Sequence, residues 1–333
     1  MNGRTLLGAL ALVVLCLLTW ELRWVLLVLF GAVVVAVALD VPVCFLMRRA
    51  RMRRPTALVL VLLLLGVLAL ALAQLLLPEL QQQVTQLIYL IPDMIQRLAD
   101  LSDQVDWLPD GNQVLERLRS WDRLEPIGGQ LLGLAGGAAN TTVQLMLMVL
   151  LAVLLALDPT SHRRLVISLT PSFWRGSMAA LLDNCRSALG GWLAGMTFSA
   201  LIVFLVTWGG LSLLQIPLAL LSGLVCGLLT FVPTVGPTAA TLLPLSLALL
   251  VSPAKVVQVL ILRLVLQNGE AFLLTPMLLR RTVNLLPTVA LMAQLSLGAL
   301  LGLPGVLLAL PFVVVLQVMC QRVLVHEVMD RWT

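Results

Sequence analysis

Apolar runs of near-bilayer length recur along this whole chain, and its charges gather at their ends. A hydrocarbon core of roughly 30 Å takes about 20 helical residues to cross. Lipid offers the backbone no hydrogen-bond partner, so a chain of this kind folds either as helices or as a closed barrel. The runs lack the strict alternation of barrel strands. Composition agrees: 60% of residues are hydrophobic and 11% charged, where soluble domains carry roughly 25% charged residues. The sequence predicts an all-α, polytopic transmembrane helical bundle.

The net charge of +5 comes almost entirely from arginines at run ends. That placement is membrane topology rather than a nucleic-acid groove, so the lipid bilayer is the expected partner and nucleic acid is excluded. Five cysteines (Cys16, Cys44, Cys185, Cys226 and Cys320) show no CxxC spacing and are expected as packing residues, with no metal site or cofactor.

Taken in order, residues 6–19 resemble a signal peptide without a cleavage site and are expected as an uncleaved first helix. Residues 24–41 form the second, with Asp40 alone at its end. Arg48, Arg49, Arg51, Arg53 and Arg54 follow as a basic loop that holds this end in the cytoplasm and also suits anionic lipid headgroups. The third span runs from 55 to about 77, closing an N-terminal unit of residues 1–77.

Residues 78–130 change character. Leu80, Val84, Leu87, Ile88, Ile91, Ile95 and Leu98 recur at helical spacing among glutamines, which predicts an amphipathic helix continuing the third span past the membrane surface. A second short helix is expected at 114–124. The acidic balance of this excursion suits the outer face, as a lid, arm or oligomer contact.

The core, residues 131–333, opens with a span ending near 157, an interfacial helix at 171–186 and a span at 190–208. Beyond Pro217 the runs are short: 218–232, 239–251, 256–275, 285–303 and 306–318. Between the first two lies Phe231-Val232-Pro233-Thr234-Val235-Gly236-Pro237. Such a break survives in a membrane only when buried in protein or lining a cavity, and short Gly/Pro-interrupted segments point to a transport site. Pro233, Gly236 and Pro237 are therefore candidate pathway residues. Arg263, Gln267, Asn268 and Glu270 are the others. A charge at membrane depth costs roughly 2.5–3.5 kcal/mol even on lenient scales. Helical spacing puts Arg263, Gln267 and Glu270 on one face, with Asn268 about 100° away. A structural cluster satisfying itself is the alternative reading. Gln294 is expected to make an interhelical hydrogen bond, and the Gly298/Gly302 spacing to permit close helix approach.

These residues carry a resemblance. The chain is similar to the autoinducer-2 exporter family of bacterial inner-membrane proteins, the PerM-like permeases. Pro233-Thr234-Val235-Gly236-Pro237 matches the family's Pro-aromatic-Val-Gly-Pro element, with Thr234 in the aromatic place. Gln267 and Glu270 through Pro276 match its polar stretch, although Ala271 and Phe272 stand where asparagines are common. Leu285-Leu286-Pro287 and then Gly298, Gly302, Gly305 and Pro311 match the closing elements. The resemblance implies a transporter, exporting a small quorum-sensing furanone in some members and exchanging sodium for protons in others.

The resulting expectation is a multi-pass inner-membrane carrier of small polar solutes or ions, homo-oligomeric, with both termini cytoplasmic. No nucleotide-binding motif is present, so an ion gradient is the expected energy source. No hydrolytic or phosphate-loop signature supports an enzyme. A scaffold binding envelope proteins through the polar excursion is the non-transporting alternative.

Overall fold

The computed structural model describes residues 14, 17–102, 138–232, 235–270, 272 and 286–322. Among these the chain is helical, with no strand. Nine α-helices are labelled here in order: α1 Arg23–Ala50, α2 Arg54–Ser102, α3 Ala138–Leu157, α4 Pro159–Ser168, α5 Arg175–Leu213, α6 Ala219–Leu229, α7 Val235–Val251, α8 Pro253–Gly269 and α9 Pro287–Met319. Of the first predicted run, only residues 14 and 17–19 are described, and they are helical. The helix expected at 114–124 lies outside the described residues.

Four helices are long and apolar enough to cross a membrane, and the bent pair α3–α4 makes five. Their outward faces carry leucine and valine, as lipid contact requires: Leu63, Val67 and Leu70 are exposed. The first three-helix core packs Ala32, Ala36 and Val43 of α1 against Ala57, Leu58 and Val61 of α2 and Ala152 and Ala156 of α3. A second joins α1, α5 and α9 through Val34, Leu189, Trp192, Ala290, Leu310 and Val314.

Several boundaries differ from the sequence expectation. The second predicted span runs through Pro42 to Ala50, because only residues 51–53 are needed to turn into α2. Arg51 makes that turn in the left-handed region (φ 52°). Asp40 therefore lies inside a helix rather than at its end. The interfacial helix expected at 171–186 is the first part of α5. Ser172–Trp174 forms a single 3-10 turn, and one 39-residue helix then continues through Gly190 and Gly191. After α3 the chain bends by 88°. Asp158 accepts the Ser161 N–H there and Pro159 takes the first helical position, which starts the surface helix α4.

The polar excursion begins as foreseen: α2 is 49 residues of unbroken helix, through Pro78 and Pro92. Its apolar stripe divides in two. Leu80, Leu87, Leu90 and Met94 pack on the C-terminal half, whereas Val84, Ile88 and Ile91 are exposed. Gln83 lies on the docked side and its Oε1 accepts the Leu221 N–H (2.8 Å), satisfying one of the open amides at the start of α6.

That docking fixes the geometry of the broken region. Leu218, Ala219 and Leu221 at the start of α6 share one buried cluster with Leu247 and Ala248 at the end of α7. The two helices also pack on each other. They form a hairpin that enters and leaves at the same end, with residues 230–232 and 235–237 at its tip. Eleven residues of α6 reach about 16 Å, roughly half the hydrocarbon thickness. This is a re-entrant element, not a crossing.

Glycine lets it sit close to α5. A Cβ on Gly227 would lie 2.9 Å from the Ala200 carbonyl and from Phe204 Cβ, and one on Gly223 would lie 2.9 Å from Trp208. Of the Gly298/Gly302 pair, Gly298 makes the expected close approach, since a Cβ there would lie 2.8 Å from Val306 Cγ2, whereas Gly302 works differently. Gly302 adopts φ 66°, ψ −150° and kinks α9 ahead of Pro304; a Cβ there would meet nothing within 4 Å. Gln294 is buried, and among the described residues its Nε2 has no hydrogen-bond partner, so the expected interhelical bond from that atom is not formed.

Candidate functional site

Helix α8 starts beside the docked end of α2, with Ser252 capping the Lys255 N–H and Pro253 in the first turn. Arg263 lies ten residues on (263 − 253), or about 15 Å along the axis, a length equal to about half a bilayer's hydrocarbon core. It is 4% exposed. Its Nη2 donates to the Pro237 carbonyl (2.9 Å) and its Nε to Thr241 Oγ1 (3.1 Å). The Thr241 hydroxyl itself donates to the Pro237 carbonyl (2.8 Å). Both acceptors of the guanidinium are neutral and belong to the first turns of α7, the positive end of that helix dipole.

The tip of the hairpin is drawn tight. The Gly236 N–H donates to the Val232 carbonyl (2.8 Å), and a Cβ on Gly236 would sit 1.9 Å from the Leu229 carbonyl. A side chain there is incompatible with this turn. Thr230, buried, donates to the Cys226 carbonyl (3.0 Å), and Cys226 Sγ donates to the Ala240 carbonyl (3.2 Å) across the hairpin.

Arg263, Gln267 and Glu270 line one small cavity with Thr230, Cys226 and Pro237. Its volume is about 10 Å³, room for about one water. Glu270 Oε1 accepts a hydrogen bond from Ser199 Oγ of α5 (2.7 Å). The arrangement joins α5, α8 and the hairpin tip around one cation and one carboxylate. Asn268 points elsewhere: it is exposed and its Nδ2 donates to the Leu264 carbonyl of its own helix (2.7 Å). Pro233, with Thr234, lies outside the described residues, as do Ala271, Pro276 and Leu285.

Sequence reading missed Ser199, Thr241 and Thr230. Each is an ordinary small polar residue in an apolar run, and such residues usually bond their own helix. It also missed an ion cluster at the arginine-rich end. Asp40 of α1 accepts Arg54 Nη2 on Oδ1 (2.6 Å), and Arg186 Nε on Oδ2 (2.9 Å) together with Arg186 Nη2. Arg54 Nε donates to the Ala156 carbonyl (2.9 Å). One carboxylate thus ties α1, α2 and α5, and α3 joins through Ala156. A lone Asp within an apolar run was the available signal.

These features define a class: a polytopic helical membrane protein whose deepest ionisable groups gather at the tip of a re-entrant hairpin, as transport proteins are built. Residues 8–324 match the AI-2E family transporter. The chain belongs to that family. It is 26% identical to "Putative transport protein YrrI" of Bacillus subtilis (strain 168) over 253 residues, 69% of this chain and 71% of the relative. It is likewise 26% identical to "Putative transport protein sll0060" of Synechocystis sp. over 287 residues, 83% and 82% of the two chains.

Proposed function

We propose that the protein is an inner-membrane carrier that exports small polar solutes, the signal furanone autoinducer-2 among them, driven by an ion gradient. The observation that carries this reading is the site at the hairpin tip. A guanidinium buried at bilayer depth holds a carbonyl of a broken helix, and a carboxylate lines the same one-water cavity. Burying charge for stability alone is inefficient, since apolar replacements often serve as well. A polar solute moving past this point needs fixed donors and acceptors in place of water. Arg263 supplies donors, while Gln267 and Glu270 supply acceptors.

In this reading the hairpin tip is the gate. When α7 shifts against α8, the Arg263 fork leaves the Pro237 carbonyl and meets the solute's oxygens. Glu270, released from Ser199, carries the coupling proton. Sodium–proton exchange is the second reading, and the Ser199–Glu270 pair favours it because hydroxyl and carboxylate oxygens suit a hard cation. The arginine-rich end faces the cytoplasm, with both termini there.

The experiment is solute flux in proteoliposomes with and without a pH or sodium gradient. Wild type is expected to move the furanone against its gradient, and Glu270→Gln to lose gradient-driven flux at equal incorporation. Unchanged flux in that variant removes Glu270 from the mechanism. Proton release driven by sodium alone, with no furanone movement, selects the exchanger.

A further inference from the structure

The ion cluster at the arginine-rich end borders a cavity that the hairpin site does not use. It lies between α1, α3, α4 and α5 and measures about 260 Å³. Val33, Val37, Leu155, Val166 and Leu182 form its walls. At its mouth stand Arg54, Arg163 and Arg186 with Asp40 and Asp183, so three guanidiniums face two carboxylates and one positive charge is in excess. Both carboxylates are already engaged: Asp40 by Arg54 and Arg186, and Asp183 by Arg163 through Nε (3.0 Å) and Nη2 (2.7 Å). The side chains of Arg163 and Arg186 remain 38% and 47% exposed.

We propose that this cavity is a binding site for an anionic amphiphile, with the headgroup on the Arg163–Arg186 rim and an aliphatic chain between α1 and α4. Three observations converge. The walls are aliphatic, so the slot can take a chain from the bilayer and pack it against protein without exposing it to water. The charge at the mouth selects an anion, because the carboxylates present neutralise only two of three guanidiniums. The site also stands at the membrane end that carries Arg48, Arg49, Arg51 and Arg53, where anionic lipid concentrates. The 88° bend at Asp158 opens the slot, since α4 turns away instead of continuing α3. An anionic phospholipid and a free fatty acid share this chemistry.

The test uses the full chain purified in neutral detergent and labelled with a fatty acid carrying a diazirine at its chain end, with adducts mapped by mass spectrometry. Labelling is expected on peptides containing Val33, Val37, Val166 or Leu182. Dioleoylphosphatidylglycerol, oleate, dioleoylphosphatidylcholine and inorganic phosphate are the competitors. Displacement by phosphatidylglycerol assigns the site to phospholipid, and displacement by oleate alone to free fatty acid. Equal displacement by phosphatidylcholine overturns the proposal, as does displacement by inorganic phosphate alone. Val166→Trp, which fills the slot from an exposed position, is expected to abolish labelling; Leu169→Trp, exposed and off the lining, is expected to leave it. Arg163→Gln is expected to weaken binding about five-fold, the value of one charge near a membrane surface. Labelling unchanged in both Val166→Trp and Arg163→Gln removes the site.

Discussion

Arg263 spends its fork on one carbonyl and one hydroxyl, at 2.9 and 3.1 Å. Lysine would keep the charge and lose the fork, so Arg263→Lys separates the two contributions. Flux is expected to fall at least about tenfold in Arg263→Lys, the effect of roughly 1.4 kcal/mol, with membrane insertion retained. Flux equal to wild type would reduce Arg263 to a bare charge. Asp40 offers a contrast, because its partners are ionic and its role is to hold helices together. Asp40→Asn leaves two guanidiniums facing one another across α1. Breaking a buried pair costs about 3–5 kcal/mol, and the exposure of Arg186 brings the expected loss to about 2–3 kcal/mol. Thermal unfolding in detergent reads it, and Arg186→Gln in the same background should restore part of the loss by removing the uncompensated charge.

At the scale of elements, how far the sequence could be read depended on whether neighbours decide the outcome. The hairpin break was legible because Gly236 and Pro237 act on their own backbone, and a break shows in one dimension. The face shared by Arg263, Gln267 and Glu270 was legible for the same reason: it follows from helical spacing alone. What α8 faces was not, since Ser199 and Thr241 come from helices elsewhere in the chain. The end of α1 and the start of α5 differ from the expected bounds, because α1 runs on through Pro42 and α5 through Gly190 and Gly191. Packing overrode both. Close approach was assigned to Gly298 and Gly302; Gly298 makes it, against Val306 across the α9 kink, Gly302 does not, and Gly223 and Gly227 make the approach to α5. Gly227→Val therefore places methyl groups against the Ala200 carbonyl and Phe204. Overpacking of this kind costs about 1–3 kcal/mol, and the expected result is a lower melting temperature with loss of the α5–α6 contact, read by disulfide trapping between the helices. Gln83→Ala is milder. It opens one amide at the head of α6, worth about 1 kcal/mol, and hydrogen exchange at Leu221 should rise while the α3 amides are unaffected.

The whole molecule is shaped by the length of α2. Forty-nine residues extend about 74 Å, and a bilayer core accounts for roughly 30 Å of that. The helix starts at Arg54 in the arginine-rich end, so its second half must emerge from the opposite face even when tilted. The stripe from Leu80 to Met94 is then a strut at that face, holding the two feet of the re-entrant hairpin through Leu218, Leu221 and Leu247. The hairpin hangs from the strut into the membrane, and its tip reaches Arg263 at half depth. This geometry makes orientation testable without any assay of transport. In a cysteine-free background, Tyr89→Cys on the exposed side of α2 (76% exposed) is expected to react with a membrane-impermeant maleimide added outside intact cells. Met52→Cys, in the turn between α1 and α2, should react only after permeabilisation. The reverse pattern would invert the protein and place the arginine-rich end outside. Labelling of both sites from outside would mean that α2 does not cross, and the strut could not suspend the hairpin at all.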